Sequence, residues 1–120
     1  MKKILVVDDQ EVYLSSLSFA LQKYFEVVLA SSKAEAMERL KSEVDIALVD
    51  VRLIENQEGN IDGIRLLEWI MLNKPTVSVF MMSAYREFFY EEESLKLGAK
   101  YFFHKPIDIV SLVRLLMEKS

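Results

Sequence analysis

The chain has 120 residues, of which 52% are hydrophobic and 28% charged, with three glycines, two prolines and a net charge of -4. That length fits one domain (1–120), and the composition supplies a sizeable core with little low-complexity character. The acidic balance argues against charge-driven binding to nucleic acid or an anionic membrane, and the absence of cysteine excludes disulfides, thiolate metal sites and thiol nucleophiles.

From the N-terminus, Lys2-Lys3 is followed by the short apolar run Ile4 to Val7, which Asp8-Asp9 interrupts before it reaches the length of a signal peptide or a membrane span. A cytoplasmic location is therefore expected. Lys3 to Val7 reads as a first strand, and Glu11 to Tyr24 as a helix with apolar residues at helical spacing. Glu26 to Ala30 is a second strand, and Ser31-Ser32 opens a helix over Lys33 to Lys41. Asp45 to Val49 is a third strand, followed by a helix from Gly63 to Leu72 that Asn73-Lys74-Pro75 ends. Val77 to Met81 and Lys100 to Phe103 complete the strands, separated by a helix over Glu87 to Leu97 that Gly98 closes. A last helix, Asp108 to Lys119, is capped by Asp108 and carries the stripe Ile109, Leu112, Val113 and Leu116.

Continuous apolar runs alternating with amphipathic stretches predict an α/β fold, a parallel sheet covered by helices on both faces. Ligands of such a sheet lie at the carboxyl ends of its strands, where the winding reverses. The first strand ends on Asp8-Asp9, the third on Asp50, the fourth on Ser83, and the fifth runs into His104-Lys105-Pro106. With strand order 2-1-3-4-5, the acids Asp8, Asp9 and Asp50 converge. Like charges at close range resist joint ionisation, and a cation relieves them. Oxygen ligands without cysteine suit a hard ion such as magnesium. Lys105 adds an ammonium and Ser83 a hydroxyl, which makes the set suited to phosphoryl transfer onto an aspartate.

Ile4-Leu5-Val6-Val7-Asp8-Asp9-Gln10, Ala47-Leu48-Val49-Asp50, Asp62-Gly63, Met82-Ser83-Ala84 and Lys105-Pro106 closely resemble the successive motifs of bacterial response-regulator receiver domains, chemotaxis receivers included. The resemblance runs from end to end. It implies a doubly wound, flavodoxin-like (βα)5 domain with a five-stranded sheet in the order 2-1-3-4-5. It implies Asp50 as phosphoacceptor, and Mg2+ held by Asp9 and Asp50, by Asp8 mostly through water, and by the backbone carbonyl of Arg52. Lys105 then contacts the phosphoryl group, Ser83 is the switch hydroxyl with the Ala84 amide beside it, and the Lys105-Pro106 peptide is cis. Phe102 falls at the aromatic switch position, but it has no phenolic hydroxyl with which to hydrogen-bond. The implied function is a phosphorylation-controlled signalling switch, at most a slow catalyst of its own phosphorylation and dephosphorylation. Its donor is a sensor histidine kinase or a phosphotransfer protein.

The residues admit plainer readings too. Asp8-Asp9 taken alone is also a solvated pair or a cap, Ser83 a helix N-cap, Lys105 a surface lysine and Phe102 core packing. His104, the only histidine, reads as a surface residue. Two features depart from the family pattern. The stretch Val51 to Ile61 lacks the usual proline and is about five residues longer than the common form, where connections ordinarily run about four to six residues. Its acids Glu55 and Glu58 read as tuning access to the pocket or as solvating a flexible tip, and the loop is expected to cover the pocket partly. The other departure is the aromatic run Tyr85, Phe88, Phe89 and Tyr90, which exceeds one helix face and points to an interface; the resemblance implies a homodimer or output contact through the fourth helix, fifth strand and fifth helix. The plain alternative has Phe88 and Leu95 on the sheet with Tyr85 and Tyr90 snorkelling. Two further function classes stand beside the switch: a degenerate receiver that acts only by protein contact, and a haloacid-dehalogenase-like phosphatase, whose spaced second acid Asp8-Asp9-Gln10 lacks. No output domain falls within these residues, so a stand-alone receiver and a piece of a longer regulator are both expected readings.

Overall fold

A computed structural model describes residues 1–120. Its elements alternate strand and helix throughout: β1 (Lys3–Val7), α1 (Glu11–Leu21), β2 (Glu26–Ala30), α2 (Lys33–Arg39), β3 (Ile46–Asp50), α3 (Asp62–Asn73), β4 (Ser78–Ser83), α4 (Phe88–Lys96), β5 (Phe102–His104) and α5 (Ile109–Lys119). The strands form one parallel sheet in the order β2-β1-β3-β4-β5, as the sequence predicts.

Successive side chains of a strand point to opposite faces, and both faces are packed. In β1, Leu5 and Val7 enter one core with Ile64, Leu67 and Met81, while Ile4 and Val6 enter the other with Leu17, Phe80 and Leu112. That double coverage is why the central strands read as unbroken apolar runs. β2 departs from the expectation, because it lies at the sheet edge and keeps Glu26 exposed and Val27 to Leu29 half-buried.

Local chemistry sets the helix ends. The Ser32 hydroxyl accepts from Glu35 N at 3.1 Å while the Glu35 carboxylate accepts from Ser31 N at 2.6 Å, so one free amide of α2 and the amide just before its N-cap are both satisfied. Asp108 caps α5, accepting from the Ser111 amide at 3.0 Å and the Ser111 hydroxyl at 2.8 Å. α4 ends in a Schellman turn: Ala99 N donates to Ser94 O, Gly98 N donates to Leu95 O, and Gly98 takes φ +114°, a left-handed conformation that glycine tolerates.

Several expected details shift. α1 stops at Leu21 instead of Tyr24, because the chain turns there, with Tyr24 N and Phe25 N both donating to Leu21 O. β5 begins at Phe102 and α4 at Phe88, one or two residues later than predicted. On α5, Leu112 and Leu116 are buried but Ile109, in the first turn beside the cap, is exposed. On α4 the plain alternative, with Phe88 and Leu95 on the sheet and Tyr90 snorkelling, is reversed: Phe88, Phe89 and Leu95 are exposed, and Tyr90 is the aromatic that enters the core, with Phe102, Leu97 and Ala99 in the same cluster. No helix is long and apolar enough to cross a membrane.

Candidate functional site

Strand register brings the predicted residues together. Val7 pairs with Val49, so Asp8 and Asp50 follow as neighbours at the ends of β1 and β3. Asp50 pairs with Met82, and Ser83 with His104, which places Ser83 and Lys105 on the same rim. Asp8 and Asp50 are buried, and one oxygen from each of Asp8, Asp9 and Asp50 lies within 4.8 Å of the others. Lys105 Nζ stands 2.6 Å from Asp8 Oδ2 and 3.3 Å from Asp50 Oδ2. The Lys105–Pro106 peptide is cis.

Lys105 supplies one positive charge against three carboxylates. Burial, followed by the Asp8 charge, pushes Asp50 from 3.8 up to about 8, against the pull of Lys105. Burial also works to lower Lys105, but the Asp50 and Asp8 carboxylates outweigh it and leave its pKa raised. Both shifts report a cluster short of positive charge. Asp9 Oδ1 is buried with no hydrogen-bond partner, while Asp9 Oδ2 accepts from Glu55 N at 2.7 Å and Asp8 Oδ1 from Gln10 N at 2.9 Å. An orphaned carboxylate oxygen in a cluster made only of carboxylates fits a hard, oxygen-seeking divalent cation.

The remaining predicted residues take definite places. Ser83 is buried, donating to Tyr85 O at 3.2 Å and accepting from Tyr85 N at 3.0 Å. It caps this tight turn, not α4, whose N-cap is Glu87. Ala84 lines the cleft above Asp50. Phe102 is buried in the larger core, its ring centroid 5.2 Å from that of His104. His104 is not the free surface residue expected: it is half-buried, its Nε2 lies 2.9 Å from Glu91 Oε1, and its Nδ1 is buried without a partner.

Sequence reasoning missed three groups. The Tyr13 ring lies under the Lys105 ammonium, 4.1 Å from centroid to nitrogen, and restricts where the lysine can swing. The long loop is ordered by Asn60, whose Oδ1 accepts from Leu53 N and Asp62 N and whose Nδ2 donates to Gln57 Oε1. Tyr85 donates its hydroxyl to Glu55 Oε1, and this bond is the main cause that raises its pKa. Glu55 and Tyr85 thus line the cleft together with Gln10, Val12, Tyr13, Ser16, Asp50, Ala84 and Lys105. The length of the Val51 to Ile61 stretch and its acid Glu55 pointed to the loop, but nothing in the sequence pointed to Asn60, Tyr13 or the pairing of Glu55 with Tyr85.

Residues 4–117 match the response regulator receiver domain family, and the chain belongs to it. It is a receiver domain of the two-component type, a signalling switch controlled by aspartyl phosphorylation. Transcriptional regulatory protein ZraR of Escherichia coli (strain K12) is 36% identical over 111 residues, covering 91% of this chain and 24% of ZraR. The chain therefore spans about a quarter of that relative's length. Among solved structures, a CheY-like response regulator receiver domain protein from Methanospirillum hungatei JF-1 superposes with a TM-score of 0.88 at 28% identity, covering 99% of this chain and 93% of that one. The CheX-CheY-BeF3-Mg2+ complex from Borrelia burgdorferi gives 0.83 at 26% identity, covering 98% and 87%. Family membership sets aside the haloacid-dehalogenase alternative.

Proposed function

We propose that Asp50 is the phosphoacceptor and that the acids around it hold Mg2+ during transfer. The observation that carries this reading is the convergence of Asp50, Asp8, Asp9 and Lys105 within one cleft at the carboxyl ends of β1, β3 and β5. The Borrelia complex, described as containing BeF3 and Mg2+, lends the same chemistry to a relative of this fold. Asp8, Asp9, Asp50 and the Arg52 carbonyl would hold the ion, which when bound neutralises the acids and offsets charge on the transferring oxygens.

One Asp50 oxygen attacks phosphorus in line as the bond to the donor breaks. With a phosphohistidine donor the nitrogen–phosphorus electrons return to the imidazole; with acetyl phosphate they leave on acetate. Lys105 moves from the Asp8 and Asp50 carboxylates to a phosphoryl oxygen, over the Tyr13 ring. The Ser83 hydroxyl leaves Tyr85 for another oxygen, beside the Ala84 amide. Phe102 is buried in this state, so a switch role would require an outward rotamer in another, and packing is what its burial favours. Intact Asp50 and Lys105 count against a degenerate receiver. The protein is a switch whose only catalysis is slow reaction at its own aspartate. A histidine kinase or phosphotransfer protein is the proposed donor, and the exposed Phe88, Phe89 and Leu95 on α4, with the exposed Tyr101 just before β5, offer a face to a second copy or an output domain.

Labelling by acetyl phosphate, with and without Mg2+, on the wild type and Asp50→Asn tests the assignment. Labelling that needs Mg2+ and disappears in the variant is expected. Label that survives the substitution, or that forms equally in chelator, rejects it.

A further inference from the structure

The enlarged loop after Asp50 does not hang free. Glu55 N donates to Asp9 Oδ2 at 2.7 Å, so the loop backbone is fastened to one of the three clustered acids. The Glu55 carboxylate in turn accepts the Tyr85 hydroxyl from the turn after β4. Arg52 closes the arrangement: its guanidinium carbon lies 3.7 Å above the Tyr85 ring centroid, and its Nη1 donates to Glu55 O at 3.2 Å. Tyr85 also holds both hydrogen bonds of the Ser83 hydroxyl through its backbone N–H and carbonyl. Two loops from different strand ends are therefore joined above Asp50, and the joint includes the residue that restrains Ser83.

We infer that Glu55, Tyr85 and Arg52 form a clasp across the cleft that holds the resting arrangement of Ser83 and opens when a phosphoryl group occupies Asp50. The inference rests on Asp50 being the acceptor. The direction follows from charge and from valence. Glu55 and Asp50 line the same cleft, which already holds three carboxylates against the Lys105 ammonium, so further negative charge on Asp50 repels the Glu55 carboxylate. Ser83 cannot turn its hydroxyl toward a phosphoryl oxygen while it donates to Tyr85 O. Both changes loosen Tyr85. The clasp thus stabilises the unphosphorylated state alone, and by linkage it lowers affinity for any ligand that imitates the phosphorylated one.

Beryllofluoride with Mg2+ is the probe, its binding followed by fluorine NMR and titration calorimetry on the whole chain. Glu55→Gln keeps an acceptor but removes the charge, and Tyr85→Phe removes the hydroxyl while keeping the ring under Arg52. Each is expected to bind beryllofluoride about tenfold more tightly than the wild type, the scale of one charge-assisted hydrogen bond. The double variant should gain less than the sum of the two single gains, because Glu55→Gln weakens the same bond that Tyr85→Phe removes. Wild-type binding that is lost in Asp50→Asn, with affinity unchanged or weakened in both single variants, overturns the clasp alone, as does a fully additive gain in the double variant. Absent wild-type binding, or binding that survives Asp50→Asn, overturns the acceptor assignment and the clasp with it.

Discussion

Gly63 lies directly against the peptide of Asp50: a Cβ at position 63 would fall 1.9 Å from the Asp50 carbonyl oxygen and 2.8 Å from the Asp50 carbonyl carbon. Gly63 N meanwhile donates to Val51 O at 2.9 Å, so the first turn of α3 is seated on the end of β3. The atoms in the way are backbone, which no rotamer change can move. Gly63→Ala should therefore lower stability by about 3 kcal/mol, at the upper end of overpacking costs. It should also displace Asp50 and reduce labelling by acetyl phosphate. A urea midpoint equal to that of the wild type would contradict this packing.

The charge imbalance around Asp50 sets a pH dependence. Its pKa in the folded chain, about 8, lies above the ordinary 3.8, so the folded state holds this proton more tightly than the unfolded one. Asp50's contribution to stability is then fully present below the ordinary carboxylate range and is lost as pH rises through about 8. Chelator-treated protein should melt at a lower temperature near pH 8.5 than near pH 6, at roughly constant ionic strength. A divalent ion that binds only the folded acids raises the melting temperature, and more so at the higher pH, where the acids are already ionised and binding displaces no proton into solvent. Thermal scans at both pH values, with EDTA and with Mg2+, check both slopes.

The parallel sheet was legible because strands packed on both faces write long apolar runs, and four of the five runs end on reactive residues; the order that makes Asp8, Asp9, Asp50 and Lys105 converge came with the resemblance to receiver domains. The phase of α4 was not. Phe88, Phe89 and Tyr90 are consecutive, so an apolar tally fits more than one face, and the choice falls to the packing of Tyr90 into the core with Phe102 and Leu97. The bond between Tyr85 and Glu55 joins loop residues 30 positions apart, where no periodicity operates. Tyr13 escaped notice for a related reason: on α1 it reads as one more half-buried aromatic until the end of β5 brings Lys105 over it.

Asn60 determines whether the long loop keeps its shape. It is buried, and truncation to alanine would leave the amides of Leu53 and Asp62 without their shared acceptor at 3.0 Å. Leu53 is itself buried, so water does not readily replace the bond. Asn60→Ala should cost about 2 kcal/mol, the scale of an unsatisfied buried donor. Amide hydrogen exchange at Leu53 and Glu55 should accelerate. Asn60→Asp keeps the acceptor and loses only the donor to Gln57, so its effect on the Leu53 amide should be smaller. Equal protection at Leu53 and Glu55 in wild type and Asn60→Ala would show that the loop holds itself in place without this side chain.

The aromatic residues of α4 should divide sharply when replaced one at a time. Phe88 is 78% exposed and Tyr90 is 7% exposed, although they are two positions apart on one helix. Phe88→Ser removes almost no buried surface, and its stability should lie within about 0.5 kcal/mol of the wild type. Tyr90→Ala empties a site in the larger core and should cost about 3 kcal/mol. If the exposed ring serves contact with a second copy, light scattering after size exclusion should give a larger mass for the beryllofluoride-bound wild type than for bound Phe88→Ser. Equal stability losses in the two variants would contradict the helix phase, whereas a monomer in every sample would remove the homodimer and leave the face to a different partner.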